Sequence, residues 1–327
     1  MQKTFYPDSI FIHRSIKDDF RANKKLNVRN LWLILADSNV KTIVFHAQTS
    51  LPYLVFCVLI KRLYGLDRIL IYDVHDLIEW RGFISLKIAI RYVIYKNLER
   101  FIFKLKKVKK FTVSDGLAVV LQRNYGDKPV VIKNIAIQDY LENKNSRYSD
   151  TVIYFGTPGH APAHLFDIML SHGINIHLYG RGITNEWLRK YIACLKDKNL
   201  RGDIKVMGEY DPKDMSFLYR YKVLVFCPIH QSLNYKYSLP TKVFQAISHG
   251  LSVVTTSYFE DIIMQFKRVN NCVYVATNGD VVSAIKMALD GWSVGSNNPK
   301  WKIVEKIFNE TRDRYLENVS PLEASRN

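Results

Sequence analysis

Residues 234–256, NYKYSLPTKVFQAISHGLSVVTT, read as a polar loop, a helix opened at Pro240 and stopped by Gly250, and a short buried strand. Proline suits a first helical turn because its missing N–H would be unpaired there anyway, and glycine suits the stop. The loop delivers the backbone amides of Leu239, Thr241 and Lys242 to the positive end of a helix dipole, a placement suited to a phosphate. An ordinary α/β unit with a capped helix is the plainer reading of the same residues.

Working outward, the unit repeats. β-branched or aromatic runs at Ser9–His13, Thr42–His46, Ile69–Val74, Phe111–Ser114 and Val130–Lys133 alternate with helical patterns near 27–36, 51–64, 84–105 and 115–124. After the polar interval 138–150 the alternation resumes with Val152–Phe155, Ile174–Tyr179, Ile204–Met207, Val223–Phe226, Ser252–Thr255 and Cys272–Val275. Asp211-Pro212 signals a further helix, and 299–318 reads as one charged amphipathic helix. Alternation of this kind builds parallel βαβ units. The expected division is 1–145 and 146–298, two Rossmann-like parallel-sheet domains, with 299–327 packing back on the first. Ligands of open α/β sheets bind at the C-terminal strand ends, here in a cleft that the two domains face.

The chain has 327 residues, enough for two domains with sizeable cores. The longest uncharged apolar run, Leu51–Ile60, falls short of a membrane span, and the N-terminus lacks the continuous apolar region of a secretory signal. A cytoplasmic protein is expected. Cys57, Cys194, Cys227 and Cys272 are scattered and read as buried thiols rather than disulfides or metal ligands.

Of a net charge of +17, residues 1–150 carry +12, from 26 basic against 14 acidic residues. Arg81–Lys110 alone holds ten basic residues against Glu99. Ile84, Ile88, Tyr95, Leu98, Ile102 and Leu105 recur at helical spacing, which predicts a helix with a basic outer face. That face is either simply solvated or drawn to an anionic membrane, with Lys104, Lys106, Lys107, Lys109 and Lys110 facing the surface. No nucleic-acid-binding pattern accompanies it, so no nucleic acid partner is expected.

No Gly-x-Gly-x-x-Gly turn follows a strand in the first half, and there is no Walker loop, Gly-x-Ser-x-Gly elbow or His-Glu-x-x-His pair. Dinucleotide oxidoreductases and the easily recognised ATPases, hydrolases and zinc proteases are disfavoured. Asp73, His75 and Asp76 at one strand end do not make a defined cation site, so no metal and no cofactor are expected.

Tyr237–Val254, with Ser238-Leu239-Pro240, Lys242, Phe244 and Gly250 in place, resembles the donor-binding segment of nucleotide-sugar-dependent GT-B glycosyltransferases, in particular the retaining family 4 type. Val113–Leu117, Tyr154-Phe155-Gly156, Leu178–Gly182, Val206–Tyr210 and Tyr72–Asp76 resemble other segments of that family in order. The resemblance implies donor contacts from Gly156, Arg181, Gly208, Tyr210, Tyr237, Ser238, Leu239, Thr241, Lys242 and Gln245. It also implies a role in the reaction for His75 with Asp76, and acceptor-side contacts from His46 and His13. Two family glutamates are replaced, by Tyr237 and Gln245, and the usual diphosphate-binding Arg and Lys are absent from the loop Thr157–Ala161. The expected activity is transfer of a sugar from a nucleoside diphosphate sugar to a glycan or lipid-linked acceptor at the cytoplasmic membrane face, with retention. The alternatives are an inverting enzyme with His75, Asp76 or Asp115 as base, and a non-catalytic subunit that binds a partner enzyme or a membrane.

Overall fold

The computed structural model describes residues 9–13, 28–37, 39–79, 85–135, 147–157, 161–180, 186–198, 200–212, 214–228, 232–267, 269, 271–277, 280–292 and 300–319. These form two compact units. One holds the described residues up to Lys133 together with Thr311–Val319; the other runs from Asn134 to Glu310. The expected boundaries at 145/146 and 298/299 lie outside the described residues.

In the first unit, β1 (Ser9–His13), β2 (Thr42–His46), β3 (Ile69–Val74), β4 (Val108–Thr112) and β5 (Val130–Val131) lie side by side in that order, all parallel. Four helices among the described residues alternate with them: α1 (Val28–Ala36), α2 (Leu51–Tyr64), α3 (Leu86–Lys104) and α4 (Asp115–Tyr125). Right-handed crossovers that always step the same way place these helices on one face. The strands' other face packs Val44, Ile71 and Phe111 with Ile132 against Tyr315 of α11 (Lys300–Val319). The Phe111 and Tyr315 rings meet edge to face at 5.9 Å.

Strand β4 starts three residues earlier than the apolar run suggests. Lys110 lies buried within it, donating to Asp127 Oδ2 and to the Leu105 carbonyl, each at 2.7 Å. Lys109 donates to the Asn318 carbonyl of α11. Lys110 is thus buried and Lys109 half-buried against protein, while Lys104, Lys106 and Lys107 are exposed.

The expected orientation of α3 also changes. Its buried residues are Glu99, Ile102 and Phe103, while Leu86, Ile88, Ile90, Val93, Ile94 and Phe101 are exposed among Lys87, Arg91 and Arg100. The reason is Glu99, which accepts hydrogen bonds from the Tyr72 and Tyr125 hydroxyls and so turns that edge of the helix inward. Burial raises the pKa of its carboxyl.

In the second unit, six parallel strands take the order β11-β10-β9-β6-β7-β8: β6 (Thr151–Phe155), β7 (Asn175–Tyr179), β8 (Ile204–Gly208), β9 (Val223–Val225), β10 (Ser252–Thr256) and β11 (Val273–Ala276). The chain leaves β6 in one direction through β7 and β8, then returns to its other side for β9, β10 and β11. This is the doubly wound order, and its crevice lies between β6 and β9. Alternate strand residues feed two cores. Val152, Tyr154, Ile176, Leu178 and Val225 face one, with α5 (Phe166–Ser171), α6 (Glu186–Lys196) and α10 (Val281–Asp290). Ile153, Phe155, Leu224, Phe226 and Val253 face the other, with α8 (Thr241–Ser248), α9 (Glu260–Phe266) and the start of α11. The remaining helix, α7 (Leu233–Lys236), is a single turn.

Among the described residues Asp211-Pro212 opens no α-helix, and a 3-10 turn, Ser216–Arg220, follows. Of the cysteines, Cys57, Cys227 and Cys272 are buried, but Cys194 is exposed on α6.

Candidate functional site

The crevice of the second unit gathers several of the sequence-predicted residues. Strand β6 ends at Phe155, and Gly156 follows with φ +132, a conformation that side chains rarely adopt. Its N–H donates to the Tyr179 carbonyl at 2.9 Å, and the N–H of Gly180, φ +152, donates to the Gly208 carbonyl at 2.8 Å. A Cβ on Gly180 would overlap the Gly156 carbonyl, and one on Gly156 would meet Lys242 Nζ. Three neighbouring strand ends thus present bare backbone.

Lys242 reaches this point from the first turn of α8. Pro240 takes the N-cap place with φ −65, as its ring requires, and Leu239 is buried beneath it. Lys242 Nζ lies 5.0 Å from the centre of the Tyr154 ring, 5.6 Å from that of Phe226 and 3.5 Å from the Tyr154 hydroxyl. The Tyr154 hydroxyl is itself committed, donating to the Thr157 carbonyl at 2.6 Å. No carboxylate among the described residues pairs with Lys242. Burial pushes its ammonium down to about 8. The amides of Thr241 and Lys242 make no hydrogen bond among the described residues, and Thr241 Oγ1 donates to the Asn134 carbonyl at 3.3 Å. A cation without a carboxylate partner among the described residues, two helix-end amides and bare strand ends are chemistry suited to a phosphate.

Nearby, Tyr210 packs its ring against Phe155 (5.9 Å) and Phe217 (5.3 Å), a half-buried aromatic surface. Tyr237 caps α7, and Ser238 Oγ donates to the Tyr235 carbonyl. Gln245 is half-buried on α8, three residues after Lys242. A cavity at the ends of β9 and β10 is lined by His164, Lys236, Thr256, Tyr258 and Glu260 among others. Lys236 pairs with Glu260 across 2.9 Å at the rim of this cavity. Arg181 lies outside the described residues.

A second group stands in the first unit, at the ends of β2 and β3. His46 and Asp73 are register partners. Asp73, 3% exposed, receives His46 Nδ1 at 3.1 Å and His75 Nε2 at 2.9 Å, both on Oδ2. The two imidazole rings meet edge to face at 4.0 Å. Ala47, directly after β2, holds φ +61, a strained value for alanine; its N–H donates to the Asp73 carbonyl and its own carbonyl accepts from Ser50 Oγ. Burial alone would raise the Asp73 carboxyl, but the two imidazoles reverse this and hold it well below the usual carboxylate range. Burial also opposes charging of His75, yet Asp73, with a smaller contribution from Asp76, raises its pKa. Asp76 is exposed, so the partner of His75 is Asp73. His13 stands across from His46 on β1 by backbone register, and its side chain lies outside the described residues.

Sequence reasoning did not single out Tyr154 and Phe226, whose rings hold the Lys242 ammonium, or the convergence of His46 with His75 on Asp73. The first pair read as core residues of β-runs, and the second needs two strands to be paired in register.

No protein-family model matches this chain, and no curated protein sequence matches it. Solved structures do. Sucrose-phosphate synthase from Thermosynechococcus elongatus superposes with a TM-score of 0.63 at 13% identity, covering 94% of this chain and 79% of that one. HepE of Anabaena, solved in complex with UDP, gives 0.60 at 13% identity over 88% and 81%. WaaG, a glycosyltransferase involved in lipopolysaccharide biosynthesis, gives 0.54 at 12% identity over 95% and 98%. The fold is therefore of the GT-B glycosyltransferase type, as expected.

Proposed function

We propose that the chain is a glycosyltransferase that takes a sugar from a nucleoside diphosphate sugar and passes it to a glycan or lipid-linked glycan. The observation that carries this reading is the uncompensated ammonium of Lys242 at the crevice of the doubly wound sheet, beside Gly156 and the start of α8. In the transfer, the bond between the sugar's anomeric carbon and the diphosphate breaks and a bond to the acceptor oxygen forms. The diphosphate departs with its electron pair and takes up the proton that the acceptor hydroxyl loses. Lys242, cationic at neutral pH, and the amides of Thr241 and Lys242 stabilise the charge gathering on the departing group. Tyr210 supplies an aromatic face for the base, and Tyr237, Ser238 and Gln245 contact the sugar end, with the ribose hydroxyls at Gln245. Retention of configuration follows the family resemblance. His46 and His75, ordered by Asp73, are assigned to the acceptor.

The outer face of α3 supports a membrane-bound acceptor. No described helix is long and apolar enough to cross a membrane. Exposed Ile90, Val93 and Ile94 beside Lys87 and Arg91, with Lys104, Lys106 and Lys107 at its end, instead suit a helix lying in the surface of an anionic leaflet.

The test is binding of the pure protein to UDP, GDP and CMP and their sugar conjugates by calorimetry. One nucleotide bound with micromolar to submillimolar affinity is expected, and no binding of any at millimolar concentration would reject the proposal. A non-catalytic subunit is the second reading, favoured by Tyr237 and Gln245 standing where the resemblance expects carboxylates. It predicts nucleotide binding without turnover in the presence of pathway acceptors.

A further inference from the structure

The strand-end group of the first unit has the composition and spacing of a metal site. Its donor atoms are two imidazole nitrogens and one carboxylate, and they lie within 4.8 Å of one another. Asp73 Oδ2 stands 3.1 Å from His46 Nδ1 and 2.9 Å from His75 Nε2. For metal–nitrogen and metal–oxygen bonds of about 2.1 Å at right angles, neighbouring donor atoms stand about 3.0 Å apart. The two edges on Oδ2 fall at that right-angle figure, short of the roughly 3.4 Å of a tetrahedral set, and all three donor atoms lie within 4.8 Å of one another.

Two further features distinguish the group from a simple hydrogen-bonded pair. Both imidazoles converge on the same oxygen although the carboxylate offers two. The frame is also rigid before any ion arrives. His46 and Asp73 are locked by strand register, and the strained Ala47 is tied to the Asp73 backbone. Both histidines keep partial exposure, with 25% of each side chain accessible, which leaves an entry path and room for ligands from solvent.

We infer that His46, Asp73 and His75 bind one divalent transition-metal ion of the zinc class, with three protein ligands and at least one position open to an oxygen ligand. Two imidazoles and one carboxylate without sulfur suit Zn2+, Fe2+ or Mn2+ better than the hard Mg2+ or Ca2+. On binding, the ion takes the place of the proton on His46 Nδ1 and on His75 Nε2. A neutral imidazole shifts its proton to its other nitrogen, and a charged one releases a proton to solvent. The open position places a polarised water or a hydroxyl or phosphate oxygen at the ends of β2 and β3, the residues assigned above to the acceptor. The site itself does not depend on that assignment, since it is read from the protein and the ion alone.

The experiment uses the full chain, stripped with chelator and titrated with Zn2+ by calorimetry at pH 7.5, with metal content counted after dialysis. One Zn2+ per chain with a dissociation constant in the low micromolar range or tighter is expected. His46→Gln and His75→Gln, checked for fold by circular dichroism, should each weaken it by at least about 100-fold. His172→Gln and Cys194→Ser, at exposed positions elsewhere, should leave it unchanged. Because a variant can misfold, the native chain loaded with Co2+ supplies a second reading: a visible d–d spectrum without the strong near-ultraviolet thiolate band is expected. Absence of stoichiometric Zn2+ binding by the folded native chain overturns the inference, as does binding equally strong in both histidine variants or a thiolate band with Co2+. Nucleotide affinity is measured separately on the metal-free chain, so failure here and failure of the glycosyltransferase reading are distinguishable.

Discussion

Replacing Lys242 by methionine separates the cost of the buried ammonium from its use. The side chain lies against Tyr154 and Phe226 without a carboxylate partner, and burial pushes its pKa from 10.5 to about 8. A change of that size corresponds to about 3 kcal/mol of unfavourable burial of the charged form, of which the two aromatic faces return about 1 kcal/mol. Methionine keeps the length and the ring contacts without the charge. In the absence of nucleotide, Lys242→Met should therefore stabilise the second unit by about 2 kcal/mol at pH 7, raising its melting temperature by roughly 4 to 8 °C. With nucleotide the sign reverses. Loss of a charge-assisted contact to the diphosphate, about 1.5 to 3 kcal/mol, should raise the dissociation constant at least about tenfold.

The pH dependence follows from the lowered pKa. Between about 8 and 10.5 the unfolded lysine holds its proton while the folded one has lost it, so the native protein gains stability with rising pH and the advantage of the variant shrinks across that window. Differential scanning calorimetry of both proteins from pH 7 to 10, with and without nucleotide, reads all three effects. A variant less stable than the native chain at pH 7 without nucleotide, or one that binds nucleotide equally well, would refute the assignment of Lys242 as an anion socket.

Other substitutions probe the scaffold and the surface. Gly180→Ala drives a Cβ into the Gly156 carbonyl at a backbone conformation alanine rarely adopts, and should cost more than about 3 kcal/mol or prevent folding, read by urea denaturation. Ile90→Glu with Ile94→Glu changes two exposed residues of α3 and should abolish sedimentation with vesicles containing anionic lipid while leaving stability within about 0.5 kcal/mol. Equal vesicle binding by that double variant would reject the membrane role of the helix.

Much of the architecture was legible in the chain. The alternation of apolar runs with helical patterns fixes βαβ units because a strand repeats every two residues and a helix every 3.6, so the two cannot be confused over long segments. The Pro240 start was legible because proline and glycine act through their own backbone restrictions, independent of anything distant. By contrast, Asp211-Pro212 carries the same kind of local signal and starts no α-helix, since only tertiary packing decides whether a short nucleus propagates.

What the sequence alone determined about this protein is the alternation of strands with helices, their parallel pairing, the excess of charge in the first half and the loop-to-helix segment around Lys242. Only the tertiary structure decided which lysines are surface groups, because Lys109 and Lys110 sit on a strand whose neighbours claim them. It alone turned α3 about the buried Glu99, leaving apolar residues exposed among the basic ones of its outer face. And it alone brought His46 to Asp73, 27 residues further along the chain, and so to His75, because hydrogen-bonded strands align residues by register, which no local pattern encodes.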